Sequence, residues 1–295
     1  MSRCTAVISQ QPTTSSPPPE HINSESSESL AFWQTVLSRC DSSNLVYKNE
    51  LDDDGRDVFA LGSVIIKSGH LHETRTRDYS WNDKNEVVAD ALAQKPLAEL
   101  GIKVPEIYFA GKVFTQLSYK YKRLAHSPQI NDGDVLVQQR IPGVGLNIAK
   151  QYLDLDAMES FKQQAPAVLR TLHKIRPSSA QSFRSYIVPA PDPVESRRIR
   201  QQEADIIFSE ANADTDLGFM HNDFTESNTI VDEGRIVGLV DWEMAGYLGW
   251  ETARQVHLHI RGPNKEGYSS LEGKKEYVDV LRRLLFWRDL YDPLD

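Results

Sequence analysis

The stretch that most constrains this chain is Phe219–Gly246, FMHNDFTESNTIVDEGRIVGLVDWEMAG. Thr229-Ile230-Val231 is a short β-branched run. Asp232-Glu233-Gly234 is turn chemistry, and Ile236–Val240 is a second apolar run, so the segment reads as a β-hairpin. His221-Asn222-Asp223 and Asn228 come before it, and Asp241-Trp242-Glu243 follows it. The hairpin therefore sets one carboxylate and one amide on the entering loop and a second carboxylate at the end of the returning strand. A hairpin with ordinary capping Asp and Asn residues is the competing reading. Three polar residues ordered around one hairpin are far more specific than any one of them alone.

This arrangement suits phosphoryl transfer from a nucleotide. That reaction needs a carboxylate to orient, or take the proton from, the attacking hydroxyl. It also needs oxygen ligands that hold Mg²⁺ against the phosphates. Kinases place the base in H-x-D and a metal-binding Asn five residues later, and Asp223 and Asn228 have that spacing.

The segment resembles the aminoglycoside phosphotransferase/choline kinase family, whose fold is similar to that of protein kinases. Asp241-Trp242-Glu243, Ala245-Gly246 and Trp250-Glu251 resemble its fungal branch. The strongest match covers Phe219–Ala253, with weaker matches from about Leu45 to Trp250. The resemblance implies Asp223 as the catalytic carboxylate, with His221 bracing its loop. It implies Asn228 and Asp241 as Mg²⁺ ligands. Val64-Ile65-Ile66-Lys67 resembles the strand whose Lys contacts the α- and β-phosphates; a strand-end Lys snorkelling to water is the plain reading. Glu86 is then the expected partner of Lys67, with Glu73 as fallback; a Glu favoured by the helix dipole is the alternative. Backbone groups near Gln138, Gln139 and Ile141 would meet adenine. ATP and Mg²⁺ are the implied cofactors. Asn222, Glu226 and Glu243 are weaker candidates for contacts, and Trp242, Tyr247, Trp250 and Trp287 are candidate acceptor-pocket aromatics beside a core reading.

Composition narrows the setting. A net charge of -9 argues against a nucleic-acid binder. Two cysteines provide neither a disulfide framework nor zinc spacing. No apolar run is long enough to span a bilayer, and the N-terminus lacks an apolar signal region. A cytoplasmic protein without membrane contact is the expectation, and the oligomeric state stays open.

In chain order, 1–28 is rich in Ser, Thr, Pro and Gln and reads as a disordered tail. Helical spacing predicts a helix over Leu30–Arg39, one opening at Glu86 with Pro96 breaking its later part, and further helices over Asp156–Ile175, Thr252–Arg261 and Leu271–Leu290. Strands are predicted at Leu45–Tyr47, Val64–Lys67, Val104–Phe109 and Val135–Arg140, and a loop over Lys120–Asp134. The fold expected is α+β and two-lobed, protein-kinase-like. A small antiparallel-sheet lobe over 29–138 binds nucleotide, and a mostly helical lobe over 139–295 carries the catalytic loop, metal site and acceptor pocket. The function expected is an ATP- and Mg-dependent phosphotransferase acting on a small-molecule hydroxyl. A catalytically inactive nucleotide-gated binding protein is the alternative. A protein kinase fits less well, because DWE stands where D-F-G is expected and no A-P-E follows.

Overall fold

A computed structural model describes residues 16–48, 55–72, 77–116, 130–178, 184–189, 192–211, 214–262 and 277–291. The chain divides into two compact units. The first holds the described residues up to Ser80 together with Glu106–Arg140; the second holds Trp81–Pro105 and Ile141 onward.

The first unit is a five-stranded antiparallel sheet with one helix against it. Its strands are β1 (Leu45–Tyr47), β2 (Asp57–Leu61), β3 (Val64–Ser68), β4 (Ile107–Gln116) and β5 (Ile130–Gln139), in the order β1-β2-β3-β5-β4. Gly62 takes φ 63° in the tight turn between β2 and β3, a conformation that suits Gly because it has no Cβ. Alternation along the strands buries Phe59, Val64, Ile66, Val135 and Val137 in one cluster. Helix α1 (Ser27–Leu37) starts where the Ser26 side chain accepts the Ser29 N–H at 3.1 Å. It buries Trp33 and Leu37, spaced four apart, in the same cluster.

The tail expected over 1–28 differs in its described part. Trp33 Nε1 donates to His21 O at 3.1 Å, and the Asn23 N–H donates to Tyr108 O at 2.8 Å. Segment 16–28 is thus tied by long-range bonds that its polar composition does not announce. Residues 130–134, expected in a loop, belong to β5. The rest of that expected loop up to residue 129 and the fallback Glu73 lie outside the described residues.

The second unit is mostly helical. Helix α2 (Ser80–Ala98) begins six residues before Glu86 and runs through Pro96, which correct the predicted start and break. Pro96 sits in the last turn, so its missing N–H costs the helix one bond, to the carbonyl of Leu92 one turn back, while Leu97 is fully buried. Ala89, Ala93 and Leu97 join the large core with Leu169, Leu172, Phe219 and Trp242. This packing is why α2, placed by the sequence boundaries with the sheet, clusters with the second unit.

After β6 (Val144–Gly145) come α3 (Leu146–Ala149), α4 (Leu155–His173), β7 (Ser185–Tyr186), α5 (Gln201–Ile207) and β8 (Gly218–Met220). Then follow β9 (Thr229–Asp232), β10 (Arg235–Leu239), β11 (Gly246–Leu248), α6 (Trp250–Val256) and α7 (Tyr277–Leu285). The hairpin read from the sequence is β9–β10, with Arg235 opposite Asp232 and Leu239 opposite Thr229. β6 adds to its edge through β9, and β7-β11-β8 form a second small sheet. The α+β class is the observed one, sheet-rich first and mostly helical afterwards. Among the described residues no helix is long and apolar enough to cross a membrane.

Candidate active site

Asp223 lies on the loop between β8 and β9. The loop is held by its own polar side chains. His221 is fully buried; its Nδ1 accepts the Asp223 N–H at 3.2 Å and its Nε2 contacts Val240 O at 3.0 Å. Since Val240 O can only accept, the proton sits on Nε2. His221 therefore ties the loop to the end of β10, one residue before Asp241, and both ring nitrogens are occupied by backbone groups.

Asn228 closes the same loop. Its Nδ2 donates to Asp223 O at 2.9 Å and to Asp223 Oδ2 at 3.0 Å. The Val240 N–H donates to Asn228 O at 3.0 Å, which brings the Asn228 backbone against the residue that precedes Asp241. With Nδ2 turned to Asp223, the amide oxygen is the atom Asn228 offers elsewhere.

Asn222 and Asp241 both adopt left-handed backbone, with φ of 61° and 68°. Asn and Asp tolerate this region better than other non-Gly residues. Such conformations cost free energy and persist where surrounding bonds enforce them. At Asp241 the enforcement comes from α2. Asn85 Nδ2 donates to Glu243 O at 3.1 Å and Ala245 O at 2.9 Å, and its Oδ1 accepts the Val188 N–H at 2.9 Å. Arg198 Nη2 adds a bond to Glu243 O at 2.6 Å while its guanidinium stacks on the Tyr186 ring, 3.9 Å from the centroid.

The helix that carries Asn85 also carries Glu86, fully buried. Carboxylate oxygens of Glu86, Asp241 and Glu243 lie within 4.8 Å of one another. Glu86 is therefore an interior residue beside Asp241 and not a first-turn dipole partner.

Asp223 keeps 21% side-chain exposure and meets Arg261 Nε at 3.3 Å. Its pKa is pushed from 3.8 to about 6. Burial is the main cause; Arg261 opposes it, and Asp241, Glu243 and Glu203 add to it. Arg261 moves the other way: burial works against its charge, but Asp223 and Glu203 outweigh that and raise its pKa. The pair is asymmetric because Arg261 faces two carboxylates, whereas Asp223 shares one guanidinium with Glu203 and also faces further acidic groups. Arg261, Glu203, Arg198 and Asn85 carry no local sequence signal and were not among the predicted residues.

The remaining predicted residues fall as follows. Lys67 is buried on β3, opposite Val58 and Leu136 in the ladder. Gln138 is buried on β5; the Gln139 N–H donates to Glu106 O and the Arg140 N–H to Ser63 O, both at 2.8 Å. The first of those bonds occupies one of the backbone donors that the resemblance assigns to adenine, that of Gln139. Ile141 is buried in the second unit, where a Cβ on Gly238 would come within 2.8 Å of it. Glu226 pairs with Lys150. Of the four aromatics considered for an acceptor pocket, Trp242 stacks on Phe219, Tyr247 packs on Phe219 and Trp287 Nε1 donates to Phe224 O at 2.9 Å, all in the core, while Trp250, packed on Tyr291, also lines a cavity with Lys162 and Arg254.

A family model described as "Phosphotransferase enzyme family" matches residues 90–248, more than half of the chain. No curated protein matches. Among solved structures the chain is similar to an amicoumacin kinase in complex with AMP-PNP, Ca2+ and Ami, at 12% identity and TM-score 0.44, covering 89% of this chain and 78% of that one. It is similar to the streptomycin–ATP–APH(2'')-IIa ternary complex at 13% identity and TM-score 0.43, covering 88% and 81%. It is similar to aminoglycoside phosphotransferase APH(4)-Ia at 14% identity and TM-score 0.46, covering 86% and 82%.

Proposed function

The chain belongs to the phosphotransferase enzyme family, and we propose that it moves the γ-phosphoryl group of ATP onto a hydroxyl of a small molecule in the cytoplasm. The observation that carries this reading is the pairing of Asp223 with Asn228 on one loop and the bond from Val240 to Asn228, which joins that loop to the segment just after β10 that leads into Asp241.

In the proposed reaction the acceptor oxygen attacks the γ-phosphorus. A new O–P bond forms, the bond to the β-phosphate oxygen breaks, and ADP leaves. Asp223 orients the hydroxyl and takes its proton. A carboxylate whose pKa is near 6 is ionised at neutral pH yet basic enough to accept a proton. His221 holds the loop in place and keeps its own proton on Nε2. Asn228 fixes the Asp223 carboxylate through Nδ2 and presents its oxygen.

Asp241 and Asn228 are proposed to hold Mg²⁺, with Glu243 and Glu86 adding negative charge beside Asp241. Carboxylate and amide oxygens are the hard donors this ion takes, and three carboxylates within 4.8 Å form a local negative field that favours a cation. Bound there, Mg²⁺ supplies charge neutralisation for the phosphates. Lys67 is proposed to contact the α- and β-phosphates.

Thermal unfolding with and without Mg·ATP tests the reading. Ligand at one hundred times its Kd adds about 2.7 kcal/mol, which is several degrees. That rise is expected to depend on magnesium and to vanish in Asp241→Ala. A rise that survives in Asp241→Ala removes the metal assignment, and no rise with any nucleotide removes the function.

A further inference from the structure

We propose that Arg261 is the positioning residue of the phosphotransfer site, setting both the backbone and the carboxylate of Asp223. The proposal rests on the reading of Asp223 as the group that orients the acceptor.

Arg261 ends a π-helical turn, His257–Arg261, that continues α6. The Gly262 N–H reaches His257 O, five residues back, at 2.7 Å. Wider turns of this kind are uncommon and recur at functional sites. The wider turn changes the angular phase at which Arg261 leaves the helix. From there its Nε donates to Asn222 O at 3.1 Å and lies 3.3 Å from Asp223 Oδ1, while Nη2 pairs with Glu203 Oε1. Glu203 stands on α5, and its side chain is 3% exposed.

One planar guanidinium thus meets three partners at once. It holds the carbonyl of a left-handed residue, the carboxylate that follows it, and a buried anchor on another helix. Each contact has a consequence for Asp223. The bond to Asn222 O supports the φ of 61° that turns the chain just before Asp223. The contact to Oδ1 occupies one carboxylate oxygen, and Asn228 takes the other at 3.0 Å. The carboxylate plane is therefore set from both sides. Glu203 prevents Arg261 from swinging away. The turn itself is seated by His257, whose Nε2 meets Trp287 O at 2.8 Å. A lysine cannot reproduce this, because its single ammonium lacks the rigid fork of donors.

The test uses the full chain with Mg·ATP and water as acceptor, so no natural acceptor is needed. Phosphate release gives kcat and KM for ATP, and titration calorimetry gives nucleotide-binding stoichiometry. Arg261→Ala is expected to lower kcat about 100-fold, the scale of a small misplacement of a catalytic group. KM should stay within about twofold and stoichiometry near that of the parent, with Arg261→Lys recovering only part of the loss. Millimolar guanidinium is expected to restore turnover to Arg261→Ala and not to Asp223→Asn. Arg261→Ala with the parent kcat overturns the positioning role and leaves the function standing. So does a loss of kcat matched by an equal loss of binding stoichiometry, because that reports unfolding. Parent turnover that Asp223→Asn retains overturns the Asp223 and Arg261 roles, and a parent protein that binds no nucleotide in the calorimeter overturns the proposed function with them.

Discussion

Replacing Asp223 by Asn should stabilise the metal-free protein at neutral pH while removing turnover. The Asp223 pKa is raised from 3.8 to about 6, chiefly by burial. A carboxyl raised in the folded state favours folding most when protonated. Its stabilising contribution is complete below about 3.8, declines as pH rises towards 6, and is absent above. A rise of this size, at about 1.4 kcal/mol per pH unit, corresponds to about 3 kcal/mol. Asn cannot ionise, so it avoids that loss. The substitution also replaces one oxygen acceptor between Arg261 and Asn228, which offsets about 1 kcal/mol. The net gain at pH 8 is then about 2 kcal/mol, or several degrees in Tm. Thermal unfolding of both proteins from pH 4 to pH 8, with chelator present, measures it. The Tm difference should be smallest at pH 4, grow through pH 6, and level off. A difference independent of pH, or a less stable Asp223→Asn at pH 8, would refute the electrostatic reasoning.

Other outcomes follow from single contacts. Asn85→Ala takes the side-chain acceptor from the Val188 N–H and removes one donor each from the carbonyls of Glu243 and Ala245, which keep Arg198 and the Ile187 N–H. It should cost about 2–4 kcal/mol in urea unfolding and reduce the stabilisation by Mg·ATP; an unchanged response to Mg·ATP would separate α2 from the metal segment. Gly218→Ala puts a Cβ 2.3 Å from both the His173 ring and its carbonyl oxygen, and about 3 kcal/mol of destabilisation is expected. Gly234→Ala, with φ 76° at the hairpin turn and open space around it, should cost only about 1 kcal/mol. Equal urea midpoints for the two glycine variants would count against the packing in that unit.

The hairpin and the loop before it were legible because they rest on local chemistry. Turn residues lie between two β-branched runs, and His, Asp and Asn stand at a fixed spacing. Helix α4 was legible for a similar reason, since Met158, Phe161, Val168, Leu169 and Leu172 repeat on one face. Helix α2 was less so. Its buried residues include Asn82, Asp83, Asn85, Glu86 and Asp90, so its interior side does not read as apolar and its first turns resemble a loop. Arg261, Glu203 and Arg198 sit in charged stretches where nothing distinguishes a buried ion pair from a solvated one. Their roles depend on partners 39 and 58 residues away for Arg261 and 45 away for Arg198. The sequence marks Trp287 and Trp242 as aromatics near the site, yet their indole N–H groups are spent on backbone carbonyls.

The interleaving of the two units bears on the order in which the protein forms. Most of the sheet pairs strands close in sequence, and β3 already lies beside β2. Asn85, in contrast, must meet carbonyls 158 and 160 residues further along. Helix α2 is made early, and its buried residues Ala89, Ala93 and Leu97 have to wait until Phe219 and Trp242 have been synthesised. Loop closure over that distance is slow, and it leaves an exposed surface open to misassembly in the meantime. The Asp241 segment can take its left-handed turn only once α2 has been captured, so the chemistry of the site is among the last features to mature.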